Sequence, residues 1–246
     1  KYLAEQGVRE LILVAQETTL YGQDLYGEKT LPKLLTNLCK IEGIEWIRIL
    51  YCYPEEITDE LIGVIKSQPK ICKYLDIPIQ HASDRILKLM GRRTDKADLT
   101  KIIKKLRKEI PDIILRTTLI TGFPTETEEE HNELKEFVQD MKFDRLGVFT
   151  YSKEDNTPAA LLKPQISEKI KKNRQNELME LQQSLVFSQV NKYEGKVFDL
   201  LVEGRITEED GVYICRTYMD APQVDGFFFL HSEEELISGS IVKAIV

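Results

Sequence analysis

Three short stretches place polar side chains where an apolar run stops. Gln16, Glu17, Thr18 and Thr19 follow ELILVA, Gln80 and His81 follow KYLDIPI, and Thr121, Gly122 and Phe123-Pro124 close DIILRTTLIT, which carries Arg116 in its interior. Side-chain amides and hydroxyls so placed suit an amino-acid-like ligand, and Arg116 offers a planar fork of donors to a carboxylate. A charge inside an apolar strand needs a partner, so Arg116 is predicted to have an anionic one. Gly122 admits close backbone approach to a planar ring. For Thr18, Thr19 and Thr121 the alternative of helix caps or interior hydrogen bonds stays open. Arg92 and Arg93 end a helix, where they either complement its dipole or meet a substrate. His131 lies in an acidic helix and His231 beside three glutamates, which predicts surface positions for both.

The elements that must position these residues follow from apolar periodicity. Five strands are predicted: Glu10 to Ala15, Glu45 to Tyr51, Lys73 to Ile79, Asp112 to Thr121 and Asp144 to Tyr151. Helical patterns separate them around Leu31 to Cys39, Thr58 to Ser67, Asp84 to Met90 with Lys96 to Lys108, and Glu128 to Met141. This alternation predicts an α/β fold with a parallel sheet, covered on both faces and binding its ligand at the carboxyl ends of the strands. Lys1 to Gln6 ends at Gly7, a helix C-cap, so a preceding β unit is expected upstream. A polar loop then leads to Ser167, read as the N-cap of a long helix reaching about Asn191, with Ile170, Leu178, Leu181, Leu185 and Val190 on its apolar side. Residues 1–190 are therefore assigned to one domain and 191–246 to a second. In the second, VFDLLVEGRI, GVYICRTY, GFFFLH and SIVKAIV alternate with turn signals, the pattern of a small antiparallel barrel.

Composition narrows the function classes. With 246 residues and 42% hydrophobic content the chain can bury a sizeable core. It shows neither a signal segment nor a membrane-length apolar run, so the cytoplasm is the default location and no membrane partner is expected. Cys39, Cys52, Cys72 and Cys215 lie far apart without metal-ligand spacing and are read as buried free thiols, leaving no metal ligand in the chain. From Lys192 onward 5 basic residues face 11 acidic ones, so this segment carries −6 of the net −7. Such a module repels phosphates, which argues against direct nucleic-acid binding and leaves a basic protein partner or a merely soluble acidic surface.

The blocks LVAQETTLYGQDLYG, LYCYPEEITDEL, DIPIQHASDRILKLMGRR, LRTTLITGFPTETEEE and YSKEDNTPAA resemble, in order, those of the methylthiotransferase family of radical S-adenosylmethionine (SAM) enzymes. The terminal module resembles a TRAM domain. The chain is most similar to the RimO branch: tRNA-modifying relatives usually read Gln-Ser-Gly-Ser where this chain has Gln80-His81-Ala82-Ser83, and they lack Asp220-Ala221-Pro222-Gln223-Val224-Asp225-Gly226. Tyr51 and Tyr53-Pro54 point the same way.

The resemblance implies an open, partial TIM-like β/α barrel followed by a small TRAM-like β-barrel, with SAM against an iron-sulfur cluster at the strand ends. By family position Gln16, Glu17 and Thr18 approach the methionine end of SAM, Arg116 its carboxylate, and Ile120, Gly122 and Phe123 its adenine, while Gln80 and His81 line the open face. No side chain is implied as acid, base or nucleophile. The implied reaction is reductive cleavage of SAM to a 5′-deoxyadenosyl radical, hydrogen abstraction, and insertion of a methylthio group at the β-carbon of an aspartate in small-subunit ribosomal protein S twelve. An electron donor is a further implied partner. Two 4Fe-4S clusters are implied for the intact enzyme, one on a CxxxCxxC loop after the first barrel strand. Their ligands are absent here, so the chain is read as an inactive fragment of a longer enzyme. A tRNA methylthiotransferase and a non-catalytic ribosomal-protein-binding module are the alternatives. Asp220, Asp225 and Glu233-Glu234-Glu235 are expected to steer a basic partner.

Overall fold

A computed structural model describes residues 1–246. The elements run α1 (Tyr2–Glu5), β1 (Glu10–Leu13), α2 (Gln23–Tyr26), α3 (Leu31–Leu38), β2 (Trp46–Ile49), α4 (Asp59–Ser67), β3 (Ile71–Asp76), α5 (Asp84–Leu89) and α6 (Lys96–Glu109). They continue with β4 (Ile114–Thr121), α7 (Glu128–Met141), β5 (Arg145–Thr150), α8 (Pro158–Leu161), α9 (Glu168–Gln189), β6 (Val197–Arg205), β7 (Val212–Arg216), β8 (Phe228–His231) and β9 (Ile241–Ile245). β1 to β5 form one sheet in sequence order, with β1 at one edge; β1 pairs with β2 and β4 with β5 in parallel. This is the open β/α half-barrel expected. β6 to β9 form a curled antiparallel sheet in the order β8-β7-β6-β9, bulged between Val202 and Gly204.

Local chemistry accounts for the helix boundaries. Thr58 and Ser83 accept from the Leu61 and Ile86 N–H groups as N-caps, and Asp95 and Thr127 each complete a capping box with Asp98 and Glu130. β3 starts two residues earlier than its apolar run predicts and stops at Asp76, short of Pro78, which has no N–H for a ladder.

Two compact units divide the chain. One contains Lys1–Leu50, Thr58–Tyr74 and Val190–Val246; the other contains Tyr51–Ile57 and Leu75–Gln189. In the first, Glu10 on β1 accepts from Arg48 Nε of β2 at 2.8 Å through one oxygen and from Arg216 Nη2 of β7 at 2.6 Å through the other. Arg216 Nε also donates to Glu203 at 2.6 Å, and Arg48 Nη1 donates to the Tyr218 carbonyl at 2.7 Å. Arg48 and Arg216 are buried. The Arg48 guanidinium lies over the Tyr74 ring, whose hydroxyl donates to Asp225 at 2.7 Å. Asp220 is 1% exposed and accepts from the Thr217 hydroxyl. The steering role expected of Asp220 and Asp225 is therefore corrected: both hold loops inside the unit, and of that acidic set Glu233 to Glu235 are exposed. Leu200, Val202, Tyr213 and Cys215 form the core beneath the curled sheet.

In the second unit α7 buries His131, Leu134, Phe137, Val138 and Met141. His131 is 0% exposed, which overturns its predicted surface position. Its spacing with Leu134, Val138 and Met141 puts it on the apolar face despite the acidic neighbours. α9 also departs from expectation, because Ile170 and Val190 are exposed and the inward face is Lys171, Arg174, Leu178 and Gln182. Its polar members bond to backbone: Lys171 Nζ to the Tyr151 carbonyl at 2.8 Å, Arg174 to that of Glu126 at 3.2 Å, and Gln182 to that of Phe143 at 2.8 Å. A helix lying across loop and strand-end carbonyls needs donors on that face.

Candidate functional site

Within the second unit a cavity of about 670 Å³ opens at the carboxyl ends of β4 and β5. Gln80, Arg92, Ile120, Phe123, Phe149 and Tyr151 line it, with Thr157 to Ala159 at its rim. Gln80 is held in the left-handed region at φ 72°, where a residue with a side chain rarely sits. Its N–H donates to the Thr118 carbonyl at 2.9 Å and its carbonyl accepts from Ile120 N–H at 2.8 Å, so β4 fixes it from both sides. Phe123 and Tyr151 meet edge to face at 5.3 Å. Gly91, at φ 74°, closes α5, and the following Arg92 N–H returns to the Leu87 carbonyl at 2.9 Å. The Arg92 guanidinium lies 4.4 Å from the Tyr53 ring centroid and donates through Nη2 to the Pro78 carbonyl at 2.8 Å. Gln80 Oε1, Arg92 Nε and Tyr151 OH are buried without a hydrogen-bond partner. Three orphan polar groups on the lining of one cavity mark it as built for a polar ligand.

Behind the Gly122-Phe123 turn lies a buried carboxylate. Glu126 Oε2 accepts from both Gly122 N–H and Phe123 N–H, the latter at 3.0 Å. Its other oxygen faces His81 Nε2 and His131 Nδ1 at 3.7 Å each and Arg174 Nη1 at 3.4 Å. His81 is fully buried there and accepts from Ser83 N–H through Nδ1 at 2.9 Å, so it supports the turn from behind and does not line the cavity. Gly122 has φ 69°, and a Cβ there would strike the Lys171 side chain, so the space its missing side chain leaves is filled by α9.

Arg116 finds its anion in the chain. Nη1 donates to Asp76 Oδ1 at 2.8 Å and to Thr118 Oγ1 at 3.3 Å, and Asp76 Oδ2 accepts from Tyr51 N–H at 3.3 Å. In the first unit Gln16 is exposed, whereas Thr18 donates to the Leu50 carbonyl at 2.6 Å and accepts from Ala15 N–H, and Glu17 accepts from Thr19 N–H at 2.9 Å. Glu17 and Thr18 thus brace their own loop. Sequence reasoning missed Asp76, Glu126 and Tyr151. For Glu126 the signal was a carboxylate four residues past a glycine, the reach of a turn's N–H groups.

The cavity's aromatic rings and orphan donors and acceptor fit SAM, an adenosyl group carrying an amino acid. An iron-sulfur cluster does not fit this chain's residues. No three His, Cys, Asp or Glu side chains converge into a metal-binding group, and burial pushes the Cys72 and Cys215 thiols up to about 11, away from the thiolate a cluster needs.

Comparison with known proteins gives a consistent result. A family model described as the radical SAM superfamily matches residues 1–138, and a TRAM domain model matches residues 195–246. Ribosomal protein uS12 methylthiotransferase RimO of Lachnoclostridium phytofermentans is 63% identical over 246 residues, covering 100% of this chain and 56% of that protein. The protein of the same name from Alkaliphilus oremlandii is 55% identical over 238 residues, covering 96% and 54%. The chain spans about half the length of the curated relatives it matches. Among solved structures, Escherichia coli coproporphyrinogen III oxidase, a radical SAM enzyme, aligns with a TM-score of 0.50 over 80% of this chain and 55% of that one at 17% identity, a likeness of fold alone. With a half-barrel of parallel strands, a largely apolar cavity carrying a few unpartnered polar groups at their carboxyl ends and a family model covering more than half its length, the chain belongs to the radical SAM superfamily.

Proposed function

We propose that this chain is the barrel and TRAM portion of a cytoplasmic ribosomal protein uS12 methylthiotransferase. The observation that carries the reading is 63% identity along the whole chain to a protein of that name. The substrate group is the β-carbon of an aspartate in uS12, and residues 1–190 and 191–246 act as the SAM-binding and terminal domains. SAM, used with a 4Fe-4S cluster, supplies the radical chemistry when bound. The chain's own residues orient and enclose it. Ile120 and Phe123 offer apolar walls for the adenine, Gln80 an amide oxygen for a ligand donor, and Glu126 holds the Gly122-Phe123 turn in place from behind. The two clusters expected in the whole protein would take their cysteines from outside residues 1–246, and an electron donor would be a further partner.

The test uses the full-length protein, reconstituted with iron and sulfide and supplied with SAM, a reductant and a sulfide source. Mass spectrometry of isolated uS12 should show one added methylthio group at a single aspartate. Unmodified uS12 alongside modified tRNA would replace this reading with that of a tRNA enzyme.

A further inference from the structure

Arg92 differs from most of the buried and half-buried arginines. Arg48, Arg107, Arg116, Arg174 and Arg216 each face a carboxylate within 4 Å, and the half-buried Arg145, outside the cavity, donates to the Asp144 carbonyl. Arg92, half-buried in the cavity wall, faces no carboxylate, being held by the Tyr53 ring and the Pro78 carbonyl. These two anchors fix the plane of the guanidinium and use one terminal nitrogen, while the buried Nε–H has no acceptor. A half-buried cation without a counter-charge is costly, and a fixed guanidinium edge matches a carboxylate in shape and charge. Glu154, the one acid of the lining, is exposed.

We infer that Arg92 is the carboxylate-recognising residue of the cavity, with Gln80 Oε1 and Tyr151 OH available to the remaining polar atoms of the same ligand. Two sources supply that chemistry under the proposed function, on which this inference rests: the methionyl carboxylate of SAM, and the acidic side chain of the polypeptide to be modified.

The full-length, cluster-loaded protein and its Arg92→Gln and Arg92→Lys variants separate them. One arm measures binding of SAM and of decarboxylated SAM. The other measures binding of a uS12 peptide carrying the target aspartate and of the same peptide with asparagine. In one arm the wild type should prefer the carboxylate ligand by about 10- to 100-fold. Arg92→Gln should abolish that preference while binding the uncharged analogue as before, and Arg92→Lys should restore only part of it. Loss of preference in the SAM arm assigns the site to the cofactor, and loss in the peptide arm assigns it to the substrate. A wild type without preference in either arm, or a Gln variant that keeps it, overturns the inference, as does equal weakening of charged and uncharged ligands, the mark of a merely structural arginine. Failure of the wild type to modify uS12 would remove the functional reading separately, since the SAM arm still decides on Arg92.

Discussion

Glu126 connects the core to the cavity with two oxygens. One caps the N–H groups of Gly122 and Phe123, and the other faces Arg174 and two histidines. Glu126→Ala would leave those donors without an acceptor and take one of two nearby carboxylates from the buried Arg174 guanidinium, so a loss of about 3–5 kcal/mol in urea unfolding is expected, and a smaller one for Glu126→Gln, which keeps a carbonyl. A change under about 1 kcal/mol would show that the turn stands without it. Arg116 and Asp76 form the second such pair. Either alanine variant alone should cost about 3–5 kcal/mol, and the double variant less than the sum, a coupling read from the double-mutant cycle. Additive losses would mean that the two groups are independent. That Arg116 needed an anion was legible from its apolar strand. That the anion is Asp76 was not, because the choice is made by how β3 and β4 align and leaves no local trace in the sequence.

α7 carries the pH response of the second unit. Burial pushes the Glu130 carboxyl up, but bonds from Arg85, the Thr127 N–H and Ser83 outweigh it and hold the group at about 2. A depressed carboxyl contributes stability above its unfolded value near 4.5 and loses it as pH falls through that value towards 2. On the buried face of the same helix, burial lowers His131, with Arg174 acting in the same sense, against the bond to Glu177 and the charge of Glu126. Its unfolded form therefore takes up protons first, and stability should begin to decline as pH drops below about 6.5. Unfolding free energy measured from pH 8 to 3 should show both declines. Glu130→Gln should shrink the lower one, to which Glu177, also depressed by its bond from Lys135, adds a part, and His131→Gln should remove the upper; curves parallel to wild type would refute the assignment. The five strands of the parallel sheet and the longer helices between them were legible from periodicity and caps, since the strands are largely apolar and Thr58, Ser83 and Ser167 stand at helix starts; the one-turn helices α2 and α8 were not, being too short for a periodic pattern. The inward face of α9 was not, because what it covers is a row of carbonyls, and residues chosen to donate to them read as solvent-facing polar positions.

At the scale of the molecule, the terminal module and the first strands share one ionic core. Arg216→Ala should cost about 3–5 kcal/mol by leaving Glu10 and Glu203 short of a partner. Removing residues 190–246 should abolish hydrogen-exchange protection in β1 and β2, since Arg48 would also lose the carbonyls of Thr217 and Tyr218. Replacing Glu10, Arg48 and Arg216 together by Leu, Met and Met should recover much of the loss. Retained protection in the truncated chain would show that the strands stand alone. Glu10 and Arg216 are 206 residues apart, which also sets a schedule. At roughly 5–20 residues per second, a ribosome makes Arg216 some 10–40 s after Glu10. During that interval the stretch Leu75–Gln189, which makes up most of the second unit, is synthesised complete. The middle of the chain can therefore finish folding while its earliest strand still waits for its last counter-ion, and a ribosome stalled before residue 216 would display a nascent chain whose centre is set and whose start is not.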